Sequence, residues 1–266
     1  MRLVMLGTGH AMVTKCYNTC FILQDDNQFF MVDAGGGNGI LLQLNKAGIS
    51  WKDIKNIFIT HKHIDHLLGI IWIVRLIGQS ARLNEYSGTV MIYAHEDVIQ
   101  ILKSILYMVI RKEDLKYIEE KVHYVVLEDG ETREIIGHDI QFFDIHSTKD
   151  QQFGFTMEIE EGRRLTCCGD EPFHEHERIY LEGSTWLMHE AFCLFSQAAV
   201  FQPYEKHHST VKDACQLAEQ FCIENLILYH TEDTTLNRRK ELYTKEGQIF
   251  YHGNLYIPDD LAVIEL

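Results

Sequence analysis

Short apolar runs alternate with amphipathic stretches along the whole chain. Near the N-terminus the apolar runs are rich in β-branched and aromatic residues, which is typical of strands. Glycine, asparagine and aspartate lie between the runs, and these residues favour turns. The pattern predicts strands at residues 3–6, 18–23, 29–32 and 57–60, with a helix near residues 38–46. The first half of the chain is therefore predicted to be rich in β-structure.

The middle of the chain has longer apolar stretches. Residues 67–77 predict a buried helix and residues 89–94 predict a strand. Residues 97–121 predict an amphipathic helix, because apolar residues recur there at helical spacing. Its apolar stripe consists of Ile101, Ile105, Met108 and Val109. Such a stripe either packs against a core or forms a lid over a site, and both interpretations stay open at this point.

The second half of the chain returns to short strands and ends in alternating elements. Residues 122–168 predict several short strands. The later pattern predicts strands at 184–188 and 226–229, helices at 211–222 and near 236–245, and a terminal strand. There are only three prolines, and no repeat or low-complexity tract interrupts the pattern. We therefore predict one α/β domain over residues 1–266, with strands stacked in two sheets and helices outside.

Composition restricts the classes of partner. The chain has 266 residues, 46% of them hydrophobic, which is typical of a compact globular protein. A formal net charge of −15 disfavours non-specific binding to polyanions, because phosphate contacts need clustered lysine and arginine. Seven scattered cysteines predict reduced thiols and a cytoplasmic protein. We expect no signal peptide, because the N-terminus runs straight into a strand pattern without a charged and then apolar leader. We expect no membrane partner, because the longest apolar stretch, residues 67–77, is too short to cross a bilayer.

The densest chemistry lies directly after the apolar run that ends at Ile59. Three imidazoles and a carboxylate follow within six residues: His61, His63, Asp65 and His66. Imidazole nitrogen and carboxylate oxygen are ligands that zinc accepts readily. Because alternate side chains share a side of an extended chain, His61 and His63 can face one ion while Asp65 and His66 face a second. The loop therefore predicts the start of two metal shells.

Further candidate ligands follow predicted strands, where a rigid scaffold presents side chains on loops. His146, Asp170 and His230 each occupy such a position. They would supply a third histidine for one ion, a bridging carboxylate and a third ligand for the other ion. The first zinc would take His61, His63, His146 and Asp170, and the second would take Asp65, His66, His230 and Asp170. Hydroxide held between two zinc ions forms near neutral pH, so the ligand set predicts hydrolysis.

These motifs resemble the metallo-β-lactamase superfamily, whose signature is His-x-His-x-Asp-His followed by separated histidine, aspartate and histidine. The ribonuclease Z branch is the most similar. Motifs that resemble it are Leu6-Gly7-Thr8-Gly9 with Asn18, Asp33-Ala34-Gly35, His189-Glu190-Ala191 and His207-His208-Ser209-Thr210. The resemblance covers almost the whole chain and implies a four-layer αβ/βα sandwich, in which two mixed sheets pack face to face with helices outside.

The resemblance also implies roles for three catalytic residues. Asp65 would orient or deprotonate the attacking water, and His208, positioned by Glu190, would act as the general acid. The alternatives are a helix-start histidine for His208 and a strand-end ion pair for Glu190. The implied cofactor is two Zn²⁺ per chain, with Mn²⁺ or Fe as alternatives. The branch is often dimeric, so a homodimer is an expectation.

Three departures from the ribonuclease Z pattern bear on the substrate. Only 23 residues separate His146 from Asp170, which leaves no room for the branch's tRNA-gripping arm. Glu232 and Asp233 follow the last ligand and would repel a phosphate unless they are turned away. Phe192 follows the His-Glu-Ala tripeptide where the branch has threonine. Arg238 and Arg239 could serve a phosphate, although arginines on a C-terminal helix are more often exposed and solvated.

We therefore predict a dinuclear zinc hydrolase, most similar to ribonuclease Z, that cleaves a phosphodiester with a metal-activated hydroxide. The expected substrate is a small molecule or single-stranded RNA rather than folded tRNA. A second candidate is hydrolysis of a lactone, thioester or sulfate ester, because the same metal pair polarises other electrophiles. A third is a metal-containing ligand sensor without turnover, which would have no need of a proton donor such as His208.

Overall fold

The computed structural model describes residues 1–266, which form two compact units. Unit 1 consists of Met1–Gly7, Tyr17–Glu128 and Leu261–Glu265. Unit 2 consists of Thr8–Cys16, Asp129–Asp260 and Leu266. Each unit contains one seven-stranded sheet with parallel and antiparallel neighbours. A single domain over residues 1–266 therefore stays a prediction.

Unit 1 has the strand order β14-β1-β2-β3-β4-β5-β6. Strands are numbered along the chain, and those of unit 1 are β1 (Arg2–Gly7), β2 (Cys20–Asp25), β3 (Gln28–Val32), β4 (Asn56–Phe58), β5 (Val90–Ala94), β6 (Val122–Val126) and β14 (Val263–Glu265). Its helices are α1 (Gly39–Lys46), α2 (Ile64–Arg82), α3 (Glu96–Val109) and α4 (Lys112–Lys121). The antiparallel β1-β2-β3 meander leads into the parallel strands β3 to β6, where helices make the crossovers.

Helix α2 is the central helix of unit 1. It begins earlier and ends later than the predicted residues 67–77, because the ligand loop forms its first turn and polar residues extend its end. By length and composition the helix could cross a membrane, which corrects the expectation that this stretch is too short. However, 67% of its apolar window is buried inside the protein. Ile70, Ile73, Val74 and Ile77 all belong to the core of unit 1, so α2 packs as a core helix.

The predicted helix over residues 97–121 is two helices. The backbone is extended at Ile110 and Arg111, which ends α3 and begins α4. Ile101 and Ile105 are half-buried and pack against the core, whereas Met108 and Val109 are exposed. The residues of α3 that the core buries are Val98, Ile99, Leu102 and Leu106. Two of the four predicted positions therefore pack against the core, and the other two lie at the exposed end of the helix.

Unit 2 has the strand order β13-β12-β11-β10-β9-β8-β7. These strands are β7 (Thr132–Ile135), β8 (His138–Asp144), β9 (Phe153–Glu160), β10 (Arg163–Cys167), β11 (Trp186–Glu190), β12 (Asn225–Tyr229) and β13 (Asn254–Tyr256). Its helices are α5 (Arg178–Leu181), α6 (Ala198–Phe201), α7 (Val211–Gln220) and α8 (Arg239–Gly247). Strands β10 to β13 are parallel. Their carboxyl ends therefore meet at one edge of the sheet, where loops can present side chains together.

Helix α7 begins at a reciprocal cap. Thr210 accepts a hydrogen bond from the backbone N–H of Asp213, and the Asp213 carboxylate accepts from the backbone N–H of Thr210. This capping box satisfies two donors that a helix start leaves unpaired. The apolar side of α7, with Val211, Ala214 and Ala218, is buried in the core of unit 2. The cap therefore fixes where the chain turns from the His207-His208-Ser209 segment into the helix.

Candidate metal centre

The ligand loop of unit 1 is held by Asp33, which follows β3. The Asp33 carboxylate accepts hydrogen bonds from the backbone N–H of Thr60 at 2.9 Å and from its hydroxyl at 2.8 Å. The same carboxylate lies 2.7 Å from Nδ1 of His66. A carboxylate on one ring nitrogen fixes the tautomer and leaves Nε2 as the metal-facing atom. Asp33 therefore positions both the loop and one ligand.

The four predicted ligands of unit 1 lie close together. The ring centroid of His61 is 4.4 Å from that of His63 and 4.2 Å from that of His66. His61 Nε2 and His63 Nδ1 are 2.8 Å apart, and Asp65 Oδ2 is 3.4 Å from His66 Nε2. His61, Asp65 and His66 are buried. Three imidazoles and a carboxylate with converging donor atoms fit a zinc site.

A close approach of α2 to the turn after β3 makes this arrangement possible. The backbone N–H of Gly69 donates to the carbonyl of Gly35 at 2.8 Å, and Ala34 N–H donates to the carbonyl of His66 at 3.0 Å. A Cβ at Gly69 would lie 1.9 Å from the carbonyl oxygen of Ala34, far inside van der Waals contact. Only glycine allows the helix to lie this near to the turn.

The candidate residues of unit 2 lie at the carboxyl ends of its parallel strands. Asp170 follows β10, Glu190 ends β11 and His230 follows β12. His230 Nε2 lies 3.3 Å from Asp170 Oδ2, and His230 Nδ1 lies 3.9 Å from Glu190 Oε2. His208 and His230 offer ligand atoms within 4.8 Å of each other and of Glu190. The strand register therefore brings Asp170 and His230 together, as the sequence predicts.

His208, which is partly buried, forms a pair with the buried Glu190. His208 Nδ1 is 2.8 Å from Glu190 Oε2, and Glu190 Oε1 accepts from the backbone N–H of Ser209 at 2.6 Å. Burial raises the pKa of Glu190 well above its ordinary value and lowers the pKa of His208 to about 4. Both shifts favour the uncharged forms of the two groups in the metal-free chain. This contact is the one that the predicted general-acid role requires.

The structure places His146 differently from the other candidate ligands. Its side chain is exposed, its backbone is left-handed with φ of 52°, and its ring stacks on that of His176 at 3.9 Å between centroids. Its backbone N–H donates to the carboxylate of Asp144. Asp170 and His230 contact each other, whereas the ring contact of His146 is with His176. A metal-ligand role for His146 stays a prediction.

Arg238 and Arg239, which follow His230 in the sequence, differ in their burial. Arg239 is buried rather than solvated, and it donates to Thr231 and to the carbonyl of Pro258, whereas Arg238 is exposed and pairs with Glu241. The solvated interpretation was therefore wrong for Arg239 and correct for Arg238. The prediction failed for Arg239 because the burial of a helix position depends on the loops that pack against it.

Glu232 and Asp233, which follow His230, accept hydrogen bonds from neighbouring groups. Glu232 accepts hydrogen bonds from the backbone and hydroxyl of Thr234. The Asp233 carboxylate accepts from the backbone N–H groups of Thr14 and Lys15 at 2.6 and 2.8 Å. Although burial raises the pKa of Asp233, these backbone donors hold it below its ordinary value. Both carboxylates thus have partners within unit 2.

Sequence reasoning gave no role to two residues that the site uses. Asp33 belongs to a motif that resembled the family, but only the structure shows that it holds Thr60 and His66. Phe192 was a departure from the family pattern, and its ring stacks on that of His208 at 5.0 Å. An acidic residue directly after a strand was the available signal for Asp33, whereas no signal indicated the stack.

Comparison with known proteins identifies the family. The family model described as "Anti-Pycsar protein Apyc1" matches residues 1–252. The chain belongs to this Apyc1 family. Among curated relatives, ribonuclease Z of Methanococcus aeolicus is 24% identical over 99% of this chain and 94% of its own length. Ribonuclease Z of Thermococcus sibiricus is 25% identical over 100% of this chain and 96% of its own length.

Solved structures confirm the fold. The metallo-β-lactamase fold protein YhfI from Bacillus subtilis has a TM-score of 0.79 at 15% identity, covering 99% of this chain and 98% of its own. The short form of human tRNase Z has a TM-score of 0.75 at 19% identity, covering 100% and 99%. The predicted α/β sandwich of the metallo-β-lactamase type is therefore confirmed. Together with the curated relatives, these findings make this Apyc1-family chain a metal-dependent hydrolase similar to ribonuclease Z.

Proposed function

We propose that this chain is a dinuclear zinc phosphodiesterase that acts on a small or single-stranded substrate. The ligands would be the seven residues that the sequence predicts: His61, His63, Asp65, His66, His146, Asp170 and His230. The donors are imidazole and carboxylate groups, and the proposed orientation of His66 by Asp33 is typical of zinc ligands.

The chemistry would be shared between the metal ions and three side chains. Bound zinc ions lower the pKa of water and neutralise charge on phosphoryl oxygens. Asp65 would orient the attacking water or accept its proton. His208 would give its proton to the leaving oxygen, and Glu190 would hold the imidazole through the 2.8 Å contact to Nδ1.

The single observation that supports this mechanism most strongly is the position of the His208–Glu190 pair beside His230. A ligand sensor has no need of a proton donor next to a metal ligand. The proximity of Glu190 to both histidines, at 2.8 Å from His208 and 3.9 Å from His230, suits proton transfer to a leaving group near the metal.

Three features support a small or single-stranded substrate. The 23 residues between His146 and Asp170 leave no room for a tRNA-gripping arm. The net charge of −15 weakens long-range attraction to a folded polyanion. The carboxylates of Glu232 and Asp233 accept local hydrogen bonds, which reduces the repulsion that they would otherwise exert on one phosphate.

The proposal is tested by assaying zinc-loaded protein in parallel against bis(p-nitrophenyl) phosphate, a tRNA precursor, a lactone, a thioester and a sulfate ester. We expect cleavage of the phosphodiester and weak or absent tRNA processing. Asp65→Ala should abolish the activity, and His208→Ala should lower kcat by about 100-fold, the typical contribution of a general acid. Preferred cleavage of the lactone, thioester or sulfate ester, or undiminished activity of Asp65→Ala, would refute the phosphodiesterase assignment.

The family name adds a biological role to the proposal. Its namesake is an anti-Pycsar protein, and we propose the same role for this chain. Expression of the wild-type chain beside an active Pycsar system should relieve the effect of that system, whereas Asp65→Ala should not. Equal relief by both proteins would show that the anti-Pycsar role does not depend on hydrolysis.

A further inference from the structure

The loop after His146 wraps around the buried carboxylate of Glu171. Ser147 Oγ donates to Glu171 Oε1 at 2.7 Å, and the backbone N–H of Thr148 donates to Glu171 Oε2 at 3.1 Å. Ser147 Oγ also accepts from the backbone N–H groups of Lys149 and Asp150, at 3.2 Å each. Glu171 directly follows Asp170 and is 1% exposed. The loop is therefore fixed against a residue next to a candidate metal ligand.

A second contact fixes the same loop near the proposed general acid. Thr148 Oγ1 lies 2.8 Å from Nδ1 of His207, the neighbour of His208. Lys149 extends from this loop, and its Nζ lies 3.6 Å from Glu171 Oε1. Burial is the largest influence on the pKa of both Glu190 and His208, and the positive charge of Lys149 lowers both. The ammonium group therefore lies within electrostatic reach of the proton-transfer pair.

We propose that Lys149 binds a non-bridging oxygen of the phosphodiester and makes the site selective for anionic substrates. This inference rests on the proposed function. The side chain is 24% exposed, so part of it is open to solvent. The 3.6 Å separation from Glu171 is longer than a hydrogen bond, and an ammonium group has three donors, so donors remain for a ligand.

The surroundings of Lys149 explain why a cation is needed there. Asp170 and Glu171 are both buried in this part of unit 2. A phosphodiester carries a negative charge and would be repelled by ionised carboxylates, so a cation beside them favours its binding. The competing explanation is that Lys149 only neutralises Glu171. In that case its loss would affect stability and every substrate alike.

Four zinc-loaded full-length proteins separate these explanations: wild type, Lys149→Gln, Lys149→Arg and Lys212→Gln. Lys212 is a matched control, because its ammonium lies over the Phe195 ring in the same unit. Each protein is assayed with anionic bis(p-nitrophenyl) phosphate and neutral p-nitrophenyl acetate. For Lys149→Gln we expect KM for the diester to rise about tenfold, with the acetate reaction unchanged. Lys149→Arg should recover most of the loss, and Lys212→Gln should match wild type.

Calorimetric titration with inorganic phosphate gives a readout without turnover. Wild type should bind phosphate about tenfold more tightly than Lys149→Gln, and the difference should shrink at high salt. Equal phosphate affinities, no phosphate binding by wild type, or equal losses on both esters would overturn the role of Lys149. Failure of wild type to cleave the diester would instead refute the proposed function. The phosphate titration would still test whether Lys149 binds an anion.

Discussion

Arg239 links residues that are far apart in the sequence of unit 2. Its guanidinium donates to the hydroxyls of Thr8 and Thr231 at 3.1 and 2.7 Å, and to the carbonyl of Pro258 at 2.7 Å. Thr231 directly follows His230, and its backbone N–H donates to the carbonyl of Thr8. Arg239 therefore fixes the backbone that presents a candidate metal ligand. Its planar guanidinium donates in several fixed directions, which a lysine ammonium cannot reproduce.

We expect Arg239→Lys to lower the free energy of unfolding by roughly 2–4 kcal/mol, because buried acceptors lose their donors. The neighbouring Arg238→Lys is the matched control, since Arg238 is 60% exposed on its side chain and pairs only at the surface. It should change stability by less than about 0.5 kcal/mol. Urea unfolding of both variants measures the difference. Equal values for the two would contradict the structural role of Arg239.

Glu177 is a buried carboxyl group outside the proposed catalytic machinery. Its Oε1 accepts from the backbone N–H of His174 at 2.7 Å. Burial raises the pKa of Glu177 from 4.5 to about 8. The folded chain therefore holds this proton more tightly than the unfolded chain, and the free energy of unfolding falls as pH rises from 4.5 towards 8.

Glu177→Gln should remove this pH dependence, because a glutamine keeps the acceptor and cannot ionise. Wild type should lose roughly 2 kcal/mol of stability between pH 6 and 9 that the variant keeps. Chemical unfolding of metal-free protein at a series of pH values measures the slope. Parallel curves for the two proteins would show that Glu177 titrates normally in the folded chain.

At the scale of elements, Gly69 decides how near α2 lies to the turn at Ala34. Gly69→Ala would place a Cβ 1.9 Å from a backbone oxygen that cannot move alone. We expect a loss of about 2 kcal/mol or more and weaker zinc binding, because the helix carries Asp65 and His66. Gly37→Ala is the control, since a Cβ there meets nothing within 4 Å. Zinc titration and urea unfolding compare the two variants.

The hydrophobic pattern predicted most elements but not where they end. The predicted bounds of β3 and α1 lie within one residue of the observed ones. The break between α3 and α4 was missed, since the apolar spacing continues across Ile110. The ligand loop was recognised from its residue types alone. Contacts such as Phe192 on His208 could not be predicted, because they depend on how distant loops pack.

At the scale of the molecule, the edge strand β14 completes the sheet of unit 1. Leu3 pairs with Ile264, and the Met5 carbonyl accepts from the backbone N–H of Leu261. Removal of residues 261–266 should lower the free energy of unfolding by roughly 2 kcal/mol or more, since backbone bonds and buried apolar surface are lost. Val263→Thr, at an exposed position of the same strand, is the control. If the truncation leaves urea unfolding unchanged, β14 contributes nothing to the free energy of unfolding.

Two properties of the whole molecule stay predictions. The sequence suggests a cytoplasmic location and a homodimer similar to those of the ribonuclease Z branch. Sedimentation of the purified chain would determine the oligomeric state. The prediction of one domain also stays open, because the chain forms two units whose segments alternate along the sequence.

This alternation of segments has a consequence for synthesis on the ribosome. Residues Thr8–Cys16 belong to unit 2, although they are made before most of unit 1, and Leu261–Glu265 return to unit 1 at the opposite end of the chain. The first sheet can therefore acquire strand β14 only after residues 261–265 have been translated. Until then one edge of β1 has no neighbouring strand, and an open strand edge is a site at which other chains can pair.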